Sequence, residues 1–147
     1  MLKTTTALLA ATLALAGCHK REPVQKVTNV WIRLGAVETA PAAAYFNIYG
    51  GEQADRLLQV SSDVNTKTEL HESMTMGNMA SMKPTGPVEI PAGGKVEFKP
   101  GGRHAMMFGM NPAIKPGTPV TLTFTFASGQ EIQVDAGTQS ASAPIKK

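Results

Sequence analysis

Alternation of hydrophobic and polar residues is the strongest pattern along the middle of the chain. In VTLTFTF, residues 120–126, the apolar residues occupy every second position and threonines lie between them. A period of two residues is typical of a strand with one face in a hydrophobic core. Weaker segments of the same kind are VTNVWIRL, AAYFNIY, RLLQVSS, TKTELHE, KVEF, HAMMF and EIQVD. The pattern therefore predicts many short strands and no long helix.

Turn segments rich in glycine and proline separate these predicted strands. They are GG, PAGG, KPGG, NP, KPGTP and SG. Many short strands joined by such turns favour a β-sandwich or a Greek-key β-barrel. The chain has 147 residues, which is enough for one domain with a modest core. We therefore expect a single all-β domain over residues 27–135.

The N-terminal segment MLKTTTALLAATLALAGC forms a separate unit. Its apolar run, residues 7–17, is shorter than the roughly 17–25 residues of a membrane-spanning helix. It has the length of a signal-peptide core, roughly 7–15 residues. The segment ends in LAGC, which looks like a bacterial lipobox, a signal that is cut before a cysteine that carries diacylglycerol. We predict a signal peptide over residues 1–17 and lipidation of Cys18, against the simpler alternative of an ordinary signal peptide with a chance cysteine.

The segments that flank the predicted domain have little hydrophobic content. HKREPVQK is charged, and with the lipidated Cys18 it makes a tether over residues 18–26. AGTQSASAPIKK, residues 136–147, is small and polar, which is typical of a disordered tail. Acyl chains hold a protein at a membrane surface without spanning it. The expected location is therefore the periplasmic side of a bacterial membrane.

The charge pattern gives no indication of nucleic-acid binding. The net charge is only +3, and the basic residues are scattered rather than interleaved with aromatic residues. The chain also lacks a G-x-S-x-G nucleophile motif. His71 and Glu72 are neighbours on a predicted strand, so their side chains point to opposite faces and do not form a catalytic pair. We expect no enzymatic activity.

Methionine is concentrated in one part of the chain. Apart from Met1, every methionine lies between residues 74 and 110, and four of them fall in HESMTMGNMASM, residues 71–82. The Ser, Thr, Gly and Asn residues of that segment predict a solvent-facing turn, whereas methionine normally fills gaps in a core. His71 and His104 lie at the edges of this cluster. The pattern suggests that some thioethers are ligands.

The segment HAM brings an imidazole and a thioether together. On a strand His104 and Met106 point to the same face, with Cα atoms roughly 6.5–7 Å apart. Met107 then points toward the core. His71 lies on the outward face of its strand, and the Met-rich turn that follows can fold back over it and bring Met82 close. The candidate ligands are His71, Met82, His104 and Met106.

Neutral imidazole and thioether donors favour one metal in particular. Soft ligands select Cu(I), and imidazole also suits copper. Zinc prefers Cys, His or carboxylate ligands, and Ca²⁺ and Mg²⁺ prefer oxygen. A blue-copper electron-transfer site needs a Cys thiolate, but the only Cys of the chain is Cys18. We therefore expect one Cu(I) per monomer.

The spacing of the four candidates, H-x(10)-M-x(21)-H-x-M, resembles the motif of the periplasmic copper chaperone family called PCuAC. The surrounding segments AAYFNIYG, DRLLQVSS, TELHESM, MKP, IPAGGKVEFKPGGRHAMMFGM and PGTPVTLTFTFASGQEIQV agree with it, over about residues 27–135. The resemblance implies a cupredoxin-like Greek-key β-barrel that binds Cu(I) through His71, Met82, His104 and Met106. It also implies delivery toward the copper centres of cytochrome c oxidase, through a thiol-bearing assembly chaperone or an oxidase subunit.

Some alternatives stay open at this point. The same site would serve copper sequestration for tolerance, with no dedicated acceptor. A lipid anchor restricts diffusion, which argues against a freely shuttling carrier, and nothing in the sequence indicates an obligate dimer. Four methionines outside the candidate ligand set could make secondary contacts to the metal, form a docking surface or provide spare thioethers. They are Met74, Met76, Met79 and Met110.

Overall fold

Ten strands build the part of the chain that the computed structural model describes, residues 24–145. They are β1 (Lys26–Arg33), β2 (Ala42–Tyr49), β3 (Asp55–Ser61), β4 (Lys67–Met76), β5 (Met79–Pro84), β6 (Val88–Ile90), β7 (Lys95–Phe98), β8 (Arg103–Phe108), β9 (Val120–Phe126) and β10 (Glu131–Gln139). No helix in that part is long and apolar enough to cross a membrane. The predicted signal peptide, Cys18 and most of the tether lie outside the described residues.

The strands form one continuous hydrogen-bonded order, β5-β4-β8-β7-β2-β1-β10-β9-β3-β6. The first and last strands, β1 and β10, pair in parallel, whereas β1 and β2 pair antiparallel. β2 and β3 follow one another in sequence but lie on opposite sides of the β1–β10 pair, so the chain crosses between the two halves as in a Greek-key arrangement. The prediction of an all-β fold is confirmed.

The core is formed by alternate residues of both halves. The predicted inward face of β9 is buried as expected, and Met107 on β8 is fully buried. Phe46 lies at the centre, with its ring 4.2 Å from that of Phe98 and 4.8 Å from that of Phe124. Aromatic rings in such contact stabilise a core beyond the area that they bury.

A β-bulge in β1 determines which of its residues face outward. The pairing of β1 with β2 shifts by one residue between Thr28 and Trp31, and Asn29 has a positive φ of 53°. Because one extra residue is inserted, the alternation of side chains is reset. Ile32 is therefore fully buried, while Trp31 lies on the outer face, where its ring is 4.6 Å from that of Tyr45.

The predicted boundary between domain and tail is wrong. β10 continues past Asp135 to Gln139, so residues 136–139 belong to the sheet rather than to a disordered tail. Thr138 is buried, and its hydroxyl oxygen lies 2.9 and 2.8 Å from the backbone oxygens of Lys115 and Thr118, which share its single O–H donor. Small polar residues pair with β1 here, and their composition alone did not reveal that pairing.

Candidate metal centre

The Met-rich segment is a β-hairpin and not the predicted turn. β4 continues through Met76, and β5 begins at Met79, so only Gly77 and Asn78 connect the two strands. Gly77 has φ of +61°, which suits the first central position of a tight hairpin turn of type II′. A Gly-Asn pair between two strand-like segments is a known hairpin signal. The Gly-Asn pair was therefore visible in the sequence, but the Ser, Thr and Gly residues of the segment favoured the prediction of a longer turn.

The pairing of β5, β4 and β8 places all four candidate ligands on the outer face of the same sheet. His71 on β4 is directly paired with His104 on β8. Met106 follows His104 by two residues, and Met82 on β5 is paired with Ser73, two residues after His71. Because side chains two residues apart in a strand share a face, the four lie together on one side. Met82 therefore reaches this face through strand pairing rather than through a folded-back loop.

The two histidines are close, and the two methionines flank them. The imidazole rings are 5.9 Å apart between centroids. Only 4% of His104 and 11% of the His71 side chain is exposed. Along the strands Met82 lies toward the hairpin tip and Met106 lies in the other direction. Met82 is on the edge strand and is 60% exposed, so it is the most accessible of the four candidates.

A backbone carbonyl fixes the tautomer of His104. The Nδ1 atom of His104 lies 3.0 Å from the carbonyl oxygen of Gly102. A carbonyl oxygen only accepts hydrogen bonds, so Nδ1 must carry the proton and donate it. In the neutral ring the lone pair is then on Nε2. This is the usual way in which a protein orients a histidine that binds a metal.

A carboxylate does the same for His71. Glu69 lies two residues earlier on the same face, and its Oε2 is 3.0 Å from Nε2 of His71. Hydrogen bonds from Lys67 and then from His71 lower the pKa of Glu69, so its carboxylate is ionised at neutral pH and only accepts. His71 therefore donates from Nε2, and the lone pair of its neutral ring is on Nδ1.

The two nitrogen atoms that carry these lone pairs are unpaired in the part of the chain that the structure describes. Nδ1 of His71 and Nε2 of His104 are buried, and neither has a hydrogen-bond partner among the described residues. A buried polar atom without a partner costs free energy and calls for an explanation. Here two such atoms belong to paired rings on a face that also carries two thioethers. This donor set fits a soft metal ion that also accepts imidazole.

The ring of Tyr45 lies close to that of His104. Its ring centroid is 6.4 Å from that of His104, and it continues into the contact with Trp31. Burial raises the pKa of the Tyr45 hydroxyl, and the charge of Arg33 acts in the opposite direction. Sequence reasoning missed three groups of this site: the Glu69 carboxylate, the Gly102 carbonyl and the Tyr45 ring. Only Glu69 had a usable signal, because it precedes His71 by two residues on the same strand face.

Fold and site together define a small Greek-key β-barrel whose outer face carries two imidazoles and two thioethers, a candidate soft-donor metal centre. Residues 26–138 match the family model described as "Putative lipoprotein LpqE-like", and the chain belongs to this LpqE-like family. A protein of Leifsonia xyli subsp. xyli (strain CTCB07) named "Putative lipoprotein Lxx21020" is 26% identical, in an alignment that covers 88% of this chain and 87% of the relative.

Solved structures of PCuAC domains share this fold. The copper-bound PCuAC domain from PmoF2 is 20% identical, with a TM-score of 0.67 over 81% of this chain and 97% of that domain. The solution structure of CuI-DR1885 from Deinococcus radiodurans is 27% identical, with a TM-score of 0.59 over 84% of this chain and 83% of that protein. The predicted resemblance to PCuAC domains and the cupredoxin-like fold are confirmed. The assignment of the four ligands stays a prediction.

Proposed function

We propose that this protein is an extracytoplasmic Cu(I) metallochaperone that holds one Cu(I) with His71, Met82, His104 and Met106. The observation that carries the proposal is the pair of buried lone-pair nitrogens on paired rings, beside two thioethers. Copper binding as such is supported by two similar solved structures, the copper-bound PCuAC domain from PmoF2 and CuI-DR1885. These similar proteins are copper-binding domains, which makes a binding module the better description than an enzyme.

Cu(I) is the metal that this donor set suits best. Two neutral imidazoles and two neutral thioethers leave a single positive charge on the complex, which a site at a protein surface tolerates. Soft thioether sulfur selects Cu(I) over harder divalent ions. Binding does not require a thiol proton to be lost, and no disulfide can destroy the site, because the only Cys of the chain is Cys18.

The unequal exposure of the ligands favours delivery over storage. The histidines are largely buried, whereas Met82 is exposed on an edge strand. An acceptor thiolate, which is softer and charged, could form a Cu–S bond at this side while the Cu–S bond to Met82 breaks. No electron is transferred in that exchange. A site built only for sequestration would gain from enclosing its ion, so the open side argues against that alternative.

The destination and the location form the finer part of the proposal. We infer that the acceptor is a thiol-bearing chaperone or a subunit in the assembly of cytochrome c oxidase copper sites. We also infer that the protein acts as a monomer, attached to a bacterial membrane on its periplasmic side through lipidated Cys18. The match to a lipoprotein family supports the anchor.

An anaerobic competition titration tests the ligand assignment. The full chain, in detergent, competes for Cu(I) with a chromophoric Cu(I) chelator. We expect one tightly bound equivalent and weaker binding after Met106→Leu. Met107→Leu is the matched control, because Met107 is the next residue of β8 but lies in the core. Failure of the wild-type chain to compete, or equal binding by wild type and Met106→Leu, would refute the assignment.

A further inference from the structure

Three more thioethers lie together on the other face of the β4–β5 hairpin. Met74 and Met76 are two residues apart on β4, and Met79 on β5 is directly paired with Met76. The pairing of β4 with β5 runs without a register shift, so all three point away from the face that carries His71. Their exposed fractions are 37%, 74% and 77%. The hairpin tip thus presents three adjacent thioethers to solvent.

The spacing allows these sulfur atoms to converge on one ion. Directly opposite residues of an antiparallel pair have Cβ atoms about 4.5–5.5 Å apart, and diagonal neighbours about 7–8 Å. Met76 and Met79 are opposite, and Met74 is diagonal to Met79. Methionine has an unbranched side chain with three rotatable bonds, so it can close such gaps. Three thioethers can therefore surround an ion at the tip.

Packing does not explain these side chains. β5 is an edge strand in which every residue is exposed, so the tip has no core to fill. The exposed large hydrophobic residues of the hairpin are all methionines, without one aromatic or branched aliphatic side chain among them. What methionine offers here, and leucine would not, is a sulfur donor.

We propose that Met74, Met76 and Met79 form a second Cu(I) site, weaker than the site with histidines and independent of it. Its donors are neutral and soft, which is the chemistry that Cu(I) takes. It lacks imidazole and is open to water, so binding there should be weaker and readily reversible. Because it lies on the opposite face of the sheet, it does not need His71 or His104, and it does not depend on the function proposed above.

Labelled methionine methyl groups provide a direct test. The full chain carries ¹³C-methyl methionine and is titrated with Ag(I), a soft ion of the same charge that does not change oxidation state under these conditions. Single Met→Leu variants assign the signals. We expect the signals of Met82 and Met106 to shift with the first equivalent, and those of Met74, Met76 and Met79 to shift with the second. Met76→Leu should abolish the second event and leave the first.

Two further variants separate this proposal from the one above. The double variant His71→Ala, His104→Ala should lose the first event and keep the second. Met110→Leu, outside both sites, should keep both. The proposal is overturned if the tip signals do not move, if Met76→Leu retains the second event, or if the double histidine variant loses it. Unmoved tip signals with intact Ag(I) binding at the first site would point to a docking surface for another protein instead.

Discussion

Glu69 should control the affinity of the metal centre although it is not proposed as a ligand. Its carboxylate accepts a hydrogen bond from the Nε2–H group of His71, which leaves the Nδ1 lone pair available to a metal ion. Glu69→Ala removes that acceptor. The ring of His71 can then rotate, or hold its proton on Nδ1, and each change removes a donor from the site. We therefore expect weaker Cu(I) binding with the fold retained.

The structure limits how large this effect should be. Replacing a group that orients a metal-binding histidine typically weakens metal affinity 10- to 100-fold. The Glu69 side chain is 30% exposed, and Lys67 Nζ shares the same carboxylate at 2.5 Å. Water can partly replace an acceptor that is this accessible. The expected loss is therefore at the low end, about 10-fold.

Chelator competition with the full chain measures this loss, and two variants make it specific. Glu69→Gln keeps an acceptor oxygen, so it should recover most of the affinity. Glu72→Ala is the matched control, because Glu72 is on the same strand but on the other face, 3.8 Å from Arg103. Cu(I) binding by Glu69→Ala as tight as that of wild type would contradict this role of Glu69. An equal loss of affinity in Glu72→Ala would contradict it as well.

Three other outcomes are expected from the sequence and the structure. Cys18→Ala should move the protein from the membrane fraction to the soluble fraction on cell fractionation, and a variant that stays membrane-bound would contradict lipidation. Gly109→Ala should lower the free energy of unfolding by about 1–3 kcal/mol, as measured by denaturant titration. The reason is that Gly109 has φ of +61° and that a Cβ there would lie 2.3 Å from Thr66 Oγ1. An unchanged free energy of unfolding would contradict this. Burial acts to raise the pKa of Asp55, but hydrogen bonds, foremost from Ser128, outweigh it and lower the pKa below its ordinary 3.8. The ionised carboxylate thus stabilises the fold above pH 3.8, and this contribution is lost as the pH falls through the lowered pKa. Asp55→Asn should therefore change how the melting temperature depends on pH in this range. An unchanged pH dependence would contradict this role of Asp55.

The alternation of hydrophobic and polar residues predicted most of the strands, because side chains must alternate along a strand that has one buried face. It also placed His104 and Met106 on one face and Met107 in the core. The same reasoning failed for β5, where every residue is exposed and no hydrophobic face exists to produce a pattern. It failed again for β6, since a strand of three residues is too short to show a period.

The supporting groups of the site were harder to predict than its candidate ligands. The ligands follow a spacing along the chain, whereas their partners depend on which strands are neighbours. Tyr45 reaches His104 only because β2 pairs with β8, a contact between segments about sixty residues apart. The bulge at Asn29 then determines that Trp31 lies beside Tyr45 on the same face. Neither the pairing nor the bulge can be read from local sequence.

The position of the site on the outer face of the barrel explains how it could both hold and release an ion. A centre inside the core would be enclosed on every side, and release would require the barrel to open. Here the imidazoles are in contact with the Glu69 carboxylate, the Gly102 carbonyl and the Tyr45 ring, so their geometry would be prepared before a metal ion binds. The exposed thioether of Met82 is on an edge strand that pairs only with β4 among the described strands. Rigid nitrogen donors on one side and an accessible sulfur donor on the other would let an acceptor replace one ligand at a time, without unfolding any part of the core.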